Sequence, residues 1–428
     1  MSSEKIVIIG AGTFGLSTAL HLLRNGQKNV TLIDPYAVPS PLSAGNDVNK
    51  ILQTSSDSDF YAKLGMEALS AWRSDPVFSP ALHETGIIYA ALNEKERASI
   101  DHRYEYLKRR GDNVKRLNNP QDYAAVINGT SPAGGQYQGW YGYVQENNCG
   151  WTFARLALEN CARECVKLGA NFVVDAAEEI IYDSSGRCCG VRTYSGTIFP
   201  ADKTVICAGA CSHKLLNFGN QLLAKCWTVG HIKLSEEEAR ALKNMPVVLN
   251  LDFGFIFEPD ENNELKFCNE FPGYTNFVGK DSVPLFKDAI PEEAEKQMRA
   301  FLRQVFPQFA ERDFCVAKIC WCTDTPDRHF LFSKHPEHAG LILGTGDSGQ
   351  GFKYMPIVGK YIAEIIMNGA INLDEEKQKF WRWRPESGKE RDLKSLQGRS
   401  GGNYKIKDLS EISTWVTGSD ISLEELHL

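Results

Sequence analysis

Gly10, Gly12 and Gly15 form a G-x-G-x-x-G arrangement directly after the apolar run Ile6-Val7-Ile8-Ile9. Each glycine has a physical use. The first permits a tight turn, the second lets the main chain approach a pyrophosphate, and the third lets a helix pack closely on a strand. The helix start that follows, with Thr13 and Phe14, offers free amides and positive potential to phosphate oxygens. Asp34 closes a second apolar run, Val30-Thr31-Leu32-Ile33, and can accept a hydrogen bond from a ribose hydroxyl. These residues point to a bound dinucleotide. At the head of a chain the motif suits FAD as well as NAD.

The elements that must position this chemistry begin as strand, helix (Leu16 to about Arg24, with Gly26 near its end) and strand. Helical patterns recur at 60–72, 93–110, 151–168, 291–305 and 355–368. A turn-rich loop follows the second strand at Ser40–Asp47. Short strands are expected at 172–174, 178–181 and 190–194. Two more apolar runs, 203–206 leading to Gly209 and 340–344, also end in glycine. Glycine-terminated strands this far apart imply one discontinuous cofactor domain, with the antiparallel pattern of 226–285 in a second domain.

With 428 residues, 43% of them hydrophobic, the chain can build two to three domains. Its net charge is −7, with neither sign gathered in a long run. That argues against a nucleic-acid footprint and against a polybasic membrane anchor. No run approaches the roughly 18 apolar residues of a membrane span. The polar opening Met1–Lys5 lacks the character of a signal or transit peptide. The twelve cysteines are scattered, with no C-x-x-C pair and no zinc spacing, so most are expected to be reduced and buried. No metal site is expected.

Five separated segments carry a resemblance: Ser43-Ala44-Gly45-Asn46-Asp47-Val48-Asn49-Lys50, Phe267-Cys268-Asn269-Glu270-Phe271-Pro272-Gly273-Tyr274, Ile319-Cys320-Trp321-Cys322-Thr323-Asp324-Thr325, Gly349-Gln350-Gly351-Phe352-Lys353-Tyr354 and Gly398-Arg399-Ser400-Gly401-Gly402. In this order, across nearly the whole chain, they resemble the fungal fructosyl amino acid oxidases (amadoriases), relatives of monomeric sarcosine oxidase among the D-amino-acid-oxidase-like flavoproteins. The sequence departs from the family pattern at three places. It reads Cys268-Asn269-Glu270 where an aspartate is usual, it has Gln350 where arginine or histidine is common, and Leu426-His427-Leu428 is not the usual peroxisomal tripeptide.

The resemblance implies a two-domain α/β flavoprotein with a glutathione-reductase-like FAD domain and an antiparallel-sheet α+β substrate domain. The FAD domain is expected from 1–85, 145–220 and 320–375, the substrate domain from 86–144 and 221–319, and a segment closing the active site from 376–428. FAD is implied as an 8α-S-cysteinyl adduct of Cys320, since such a bond needs a thiolate nucleophile. Cys322 is read as facing the other side of the strand. Ser43, Asn49, Lys50, Gly209, Gly351, Phe352 and Lys353 join the glycine motif as cofactor contacts. Lys353 is also implied at the substrate carboxylate, and Glu270 and Arg399 as the pair that grips the substrate. Lys266 and Lys50 are the candidate cations for oxygen activation. His231 is read as a satisfied core histidine.

The implied reaction oxidises the secondary amine of a fructosyl amino acid to an imine, which hydrolyses to glucosone and amino acid, while oxygen becomes hydrogen peroxide. A sarcosine, pipecolate or saccharopine oxidase is the nearest rival, and a catalytically silent flavin-binding redox sensor is the rival of another class. The expected partners are a glycated amino acid and oxygen, acting on a monomer. The expected compartment is the cytoplasm, with the peroxisome as the alternative.

Overall fold

A computed structural model of the chain describes residues 4–128, 134–269, 273–393 and 405–419. Among them no helix is long and apolar enough to cross a membrane. Two large sheets organise the chain. The first has six strands in the order Leu331–Lys334, Leu341–Thr345, Lys203–Ile206, Lys5–Ile9, Asn29–Asp34 and Asn171–Val174. All neighbours are parallel except the edge strand Leu331–Lys334. The central strands are apolar on both faces because both are covered, as a parallel sheet requires.

The helix Thr13–Arg24 lies on this sheet and packs against the helix Met355–Asn368. Their contact is close. The Ser17 hydroxyl donates to the carbonyl of Met355 and accepts from the Gly359 amide at 2.9 Å. A Cβ on Gly359 would stand 2.0 Å from the Ser17 carbonyl oxygen. Glycine is required there by backbone contact, not by its own dihedral angles.

The second sheet has ten strands. Its centre is antiparallel: Leu223–Lys233 pairs with Glu264–Asn269 on one edge and with Phe314–Asp324 on the other. Two pairings depart from the antiparallel expectation: Val247–Asn250 runs parallel to Ile87–Ala91, and Tyr274–Thr275 runs parallel to Lys407–Asp408. The long connection within each pair removes the hairpin constraint that would force antiparallel order. The C-terminal strands Lys407–Asp408 and Trp415–Thr417 return to pair with Tyr274–Thr275 and Ala289–Pro291.

Two local expectations differ from the structure. The helix expected from Trp151 begins at Ala154, because Gly150–Thr152 is a strand between Lys50–Leu52 and Leu82–His83. Trp151 stacks on His83 at 3.9 Å and donates to Glu258 at 2.7 Å, and these contacts hold it out of the helix. A helix at Pro120–Asn128 also escaped the periodicity reading.

The Ser17–Gly359 contact yields a test. Gly359→Ala must push the two helices apart, and overpacking of this kind costs about 1–3 kcal/mol. Urea unfolding of the variant should show an earlier midpoint with unchanged slope. An unshifted midpoint would mean the helix pair has slack that this geometry denies.

Candidate active site

The glycine motif folds as a tight turn into an uncapped helix. Gly10 adopts φ +101°, and a Cβ there would meet the Cys207 carbonyl oxygen at 2.5 Å. A Cβ on Gly15 would lie 1.9 Å from the Gly10 oxygen. Gly12 occupies the N-cap of the helix Thr13–Arg24 and supplies no side chain to its first amides. Those amides therefore need an outside acceptor. Ser43 overhangs the spot, its hydroxyl 3.2 Å from where a Gly12 Cβ would be. Phe14 is wedged against Phe330 and Phe332 with centroids at 5.6 and 5.2 Å. Gly209, at φ +51°, opens the turn that follows the strand Lys203–Ile206.

Asp34 accepts from the amides of Ala11 at 2.9 Å and Tyr36 at 3.1 Å. Burial pushes its carboxyl up, and the amide bonds oppose that shift. The carboxylate thus braces the glycine turn.

The strands Leu223–Lys233, Glu264–Asn269 and Phe314–Asp324 divide their side chains between two faces. One face presents Ile232, Leu265, Phe267 and Ala317 to the core that also holds Met298 and Phe301. By the strand registers, the other face gathers Lys225, His231, Lys266, Cys268, Lys318, Cys320, Cys322 and Asp324. This arrangement corrects the reading of Cys322. Residues two apart on a regular strand share a face, so Cys322 lies on the same side as Cys320. The two thiols differ in surroundings instead. Cys320 is half-buried, whereas Cys322 is buried with its sulfur 3.5 Å from an Asp324 oxygen.

At the centre of this face Lys266 donates to Asp47 Oδ2 at 2.6 Å and to the Asn49 carbonyl at 2.9 Å. Lys50 donates to the same Asp47 oxygen at 2.7 Å. The side chains of Lys266 and Asp47 are 2% and 4% exposed, so bulk water does not screen the pair. Burial lowers the Lys266 ammonium below the ordinary lysine range, against the pull of Asp47. Lys50 is shifted the other way: desolvation is outweighed by Asp47 and by the nearby Cys320 thiol, and its net shift is upward. Asp47 is held well below the usual carboxylate range, its burial overcome by Lys266, Lys50 and Lys318. Two ammonium groups against one carboxylate leave one positive charge in excess.

The turn Gly349–Tyr354 brings Lys353 to a second buried position. A Cβ on Gly351 would meet the Phe14 ring at 2.8 Å, and Phe352 lies against Trp72 with centroids 6.2 Å apart. The Lys353 carbonyl accepts from the Trp72 indole at 2.7 Å. Its ammonium is pushed down to about 7, first by burial and then by Arg103 and Arg328. Gln350, one of the departures from the family pattern, donates to the Arg328 carbonyl at 3.1 Å. Asn269, another, accepts from Thr228 at 2.6 Å and donates to Gln297 at 3.0 Å, so its amide serves the core face.

Glu270 and Arg399 lie outside the described residues. Among those described, the structure groups Lys266, Lys50, Asn49 and Cys320 on one side and Gly351, Phe352 and Phe14 on another. Sequence reasoning passed over Asp47, although it stands in the segment that supplied Ser43, Asn49 and Lys50. His231 needs a correction too. Its Nδ1 meets Glu264 at 2.9 Å, but its buried Nε2 has no hydrogen-bond partner among the described residues, so it is only half satisfied.

The residues present fit a flavin dinucleotide. The uncapped helix start, Gly12 with Ser43 over it and the half-buried Cys320 thiol are joined by an orphan: Asn49 Oδ1 is buried with no partner among the described residues. No group of three or more potential metal ligands occurs among the described residues.

Comparison with known proteins agrees with this geometry. A family model described as DAO, FAD dependent oxidoreductase, matches residues 5–365. L-saccharopine oxidase of Schizosaccharomyces pombe is 32% identical over 433 positions, covering 94% of this chain and 98% of that protein. The crystal structure of the deglycating enzyme fructosamine oxidase (amadoriase II) from Aspergillus fumigatus, in complex with FSA, superposes with a TM-score of 0.92 at 37% identity over 98% of both chains. A modified fructosyl peptide oxidase from Aspergillus nidulans follows at 0.88 and 34%, over 96% of this chain and 99% of that one. The mixed parallel and antiparallel architecture is the two-domain fold of these oxidoreductases.

Lys353 carries a pH signature. A lysine that loses its proton more readily when folded costs stability wherever it is charged. That cost is complete below about 7 and fades as pH rises toward the ordinary lysine value. Lys353→Met should therefore raise the melting temperature at about pH 6, and the gain should shrink by about pH 10. Melts at matched flavin content check this. A gain that ignores pH would place the ammonium in water.

Proposed function

This chain belongs to the DAO family of FAD-dependent oxidoreductases, and on that premise we propose that it oxidises the secondary amine of fructosyl amino acids. The observation that carries the oxidase reading is the Lys266 ammonium, sealed from solvent at Asp47 on the same sheet face as Cys320. Similarity to amadoriase II over 98% of both chains supports the sugar-bearing substrate.

In this reading Gly10, Gly12, Thr13, Phe14 and Gly15 hold the pyrophosphate, and Asp34 holds a ribose. Ser43, Asn49, Lys50, Gly209, Gly351, Phe352 and Lys353 line the rest of the cofactor, with Cys320 as its covalent anchor. FAD supplies hydride acceptance from the carbon beside the amine and electron delivery to oxygen. The chain does the remainder. Lys353 attracts the amino acid carboxylate, and Glu270 and Arg399 grip the substrate from the segments beyond Asn269 and Leu393. Lys266 places fixed positive charge where electron transfer to oxygen creates negative charge. The oxidised amine hydrolyses to glucosone and free amino acid, and the oxygen leaves as hydrogen peroxide.

A second reading has its own support. Lys353 is acted on by two further cations, Arg103 and Arg328, and the S. pombe relative is an L-saccharopine oxidase. Saccharopine carries more carboxylates than a fructosyl amino acid and would exploit such a cluster. Peroxide release from fructosyl-glycine, ε-fructosyl-lysine, saccharopine and sarcosine separates the readings. Greater kcat/KM for saccharopine than for either fructosyl compound would replace the first reading by the second.

The covalent anchor is tested by acid precipitation. Flavin should stay with the parent protein and leave Cys320→Ser. Release from Cys322→Ser instead would move the anchor one step along the shared face.

The role of Lys266 is separable by half-reaction. Lys266→Met should slow reoxidation of the reduced enzyme by oxygen on the order of a hundredfold or more. Anaerobic reduction by substrate should change far less. Equal slowing of both in stopped flow would leave Lys266 a pocket-shaping residue and make Lys50 the better oxygen cation.

A further inference from the structure

His231 is 4% exposed, and its Nε2 has no hydrogen-bond partner among the described residues. A buried ring nitrogen left in that state requires a reason. Its position supplies one. His231 is directly opposite Lys266 in the antiparallel pair Leu223–Lys233 and Glu264–Asn269, so the two side chains rise side by side on the charged face. On the other edge it is opposite Val316, with Lys318 next along that face. The charges that bear on the imidazole come from every element packed on it: Glu264 and Lys266 from one strand, Lys318 from another and Asp47 from the loop.

The exposures form a gradient. The Lys266 side chain is 2% exposed, that of His231 is 5% exposed, and that of Glu264 is 17% exposed. Glu264 also lies 3.9 Å from the solvent-facing Lys233. The Nδ1 of His231 is engaged with Glu264 at 2.9 Å, which leaves the buried Nε2 unpartnered among the described residues.

We propose that Glu264 and His231 form a proton relay that connects the sealed Lys266 with solvent. This rests on the reading of Lys266 as the cation that serves oxygen. Conversion of oxygen to hydrogen peroxide consumes a hydride equivalent and one proton, and Lys266 is the sealed donor of that proton. Glu264 takes a proton from water and passes it to His231 Nδ1, and the Nε2 proton reaches the lysine nitrogen through a bridging water, since the two nitrogens share no direct hydrogen bond. The reverse passage carries a proton outward. Each passage moves one proton and no electrons, so no further reactant is consumed. His231 acts through Lys266 and is a positioning residue in this scheme.

The test combines a rate with a readout independent of turnover. In H231Q the oxygen half-reaction should slow on the order of tenfold or more, and added imidazole should restore it. Anaerobic reduction by substrate should stay near the parent rate. In 15N-histidine NMR of the flavin-loaded protein, the titration midpoint of His231 should rise in K266M, because a neighbouring positive charge has gone. E264Q, which keeps the side-chain shape, should reproduce the slowing and serves where H231Q does not fold. Parent-like reoxidation in H231Q and E264Q, or a His231 midpoint indifferent to K266M, overturns the relay. If K266M remains slow, the role of Lys266 survives that failure. If K266M also reoxidises normally, both ideas fall.

Discussion

One carboxylate oxygen holds the centre of this molecule. Asp47 Oδ2 receives Lys266 at 2.6 Å and Lys50 at 2.7 Å, while Oδ1 takes the Val48 amide at 2.9 Å. Asp47 belongs to the loop after the second strand of the parallel sheet, and Lys266 belongs to the large second sheet. The contact therefore joins two layers across 219 residues of sequence. Breaking a buried pair by removing one partner costs about 3–5 kcal/mol, a large part of a typical net stability of about 5–15 kcal/mol. The same contact fixes the position of the ammonium proposed to serve oxygen.

The charged face shows how a sheet can segregate chemistry without loops. Lys225 and Asp324, fully buried and 2.8 Å apart, extend the pattern beyond the Asp47 centre. Both pairs face away from the apolar core beneath. Lys353 contrasts with them. It reaches its buried position through a turn, and the charges acting on it are cations. An anion arriving at a group in that setting would relieve repulsion among the cations as well as gain attraction.

Much of this was legible in the residues. The glycine motif, the two apolar strands and Asp34 specify local structure, and short-range patterns report it well. The converging strands Lys203–Ile206 and Leu341–Thr345 announced themselves by apolar runs ending in glycine. What escaped depends on contacts distant in sequence. Asp47 reads as one more polar loop residue until Lys266 reaches it. Trp151 carries a helical pattern, but pairing with Ile51 and stacking on His83 keep it in a strand. The orphaned nitrogen of His231 has no sequence signal, because satisfaction is a property of neighbours. Cys322 is different in kind, since alternation along a strand by itself places it beside Cys320.

The order of the parallel sheet has a consequence for how the protein is made. The first strand, Lys5–Ile9, is flanked by Asn29–Asp34 and by Lys203–Ile206, which in turn needs Leu341–Thr345 at its far side. At about 5–20 residues per second, a ribosome takes roughly 20–70 s between the first of these strands and the last. Throughout that interval an apolar strand and its helix wait without a complete sheet. The sheet around the glycine turn is therefore completed only once Leu341–Thr345 has been made.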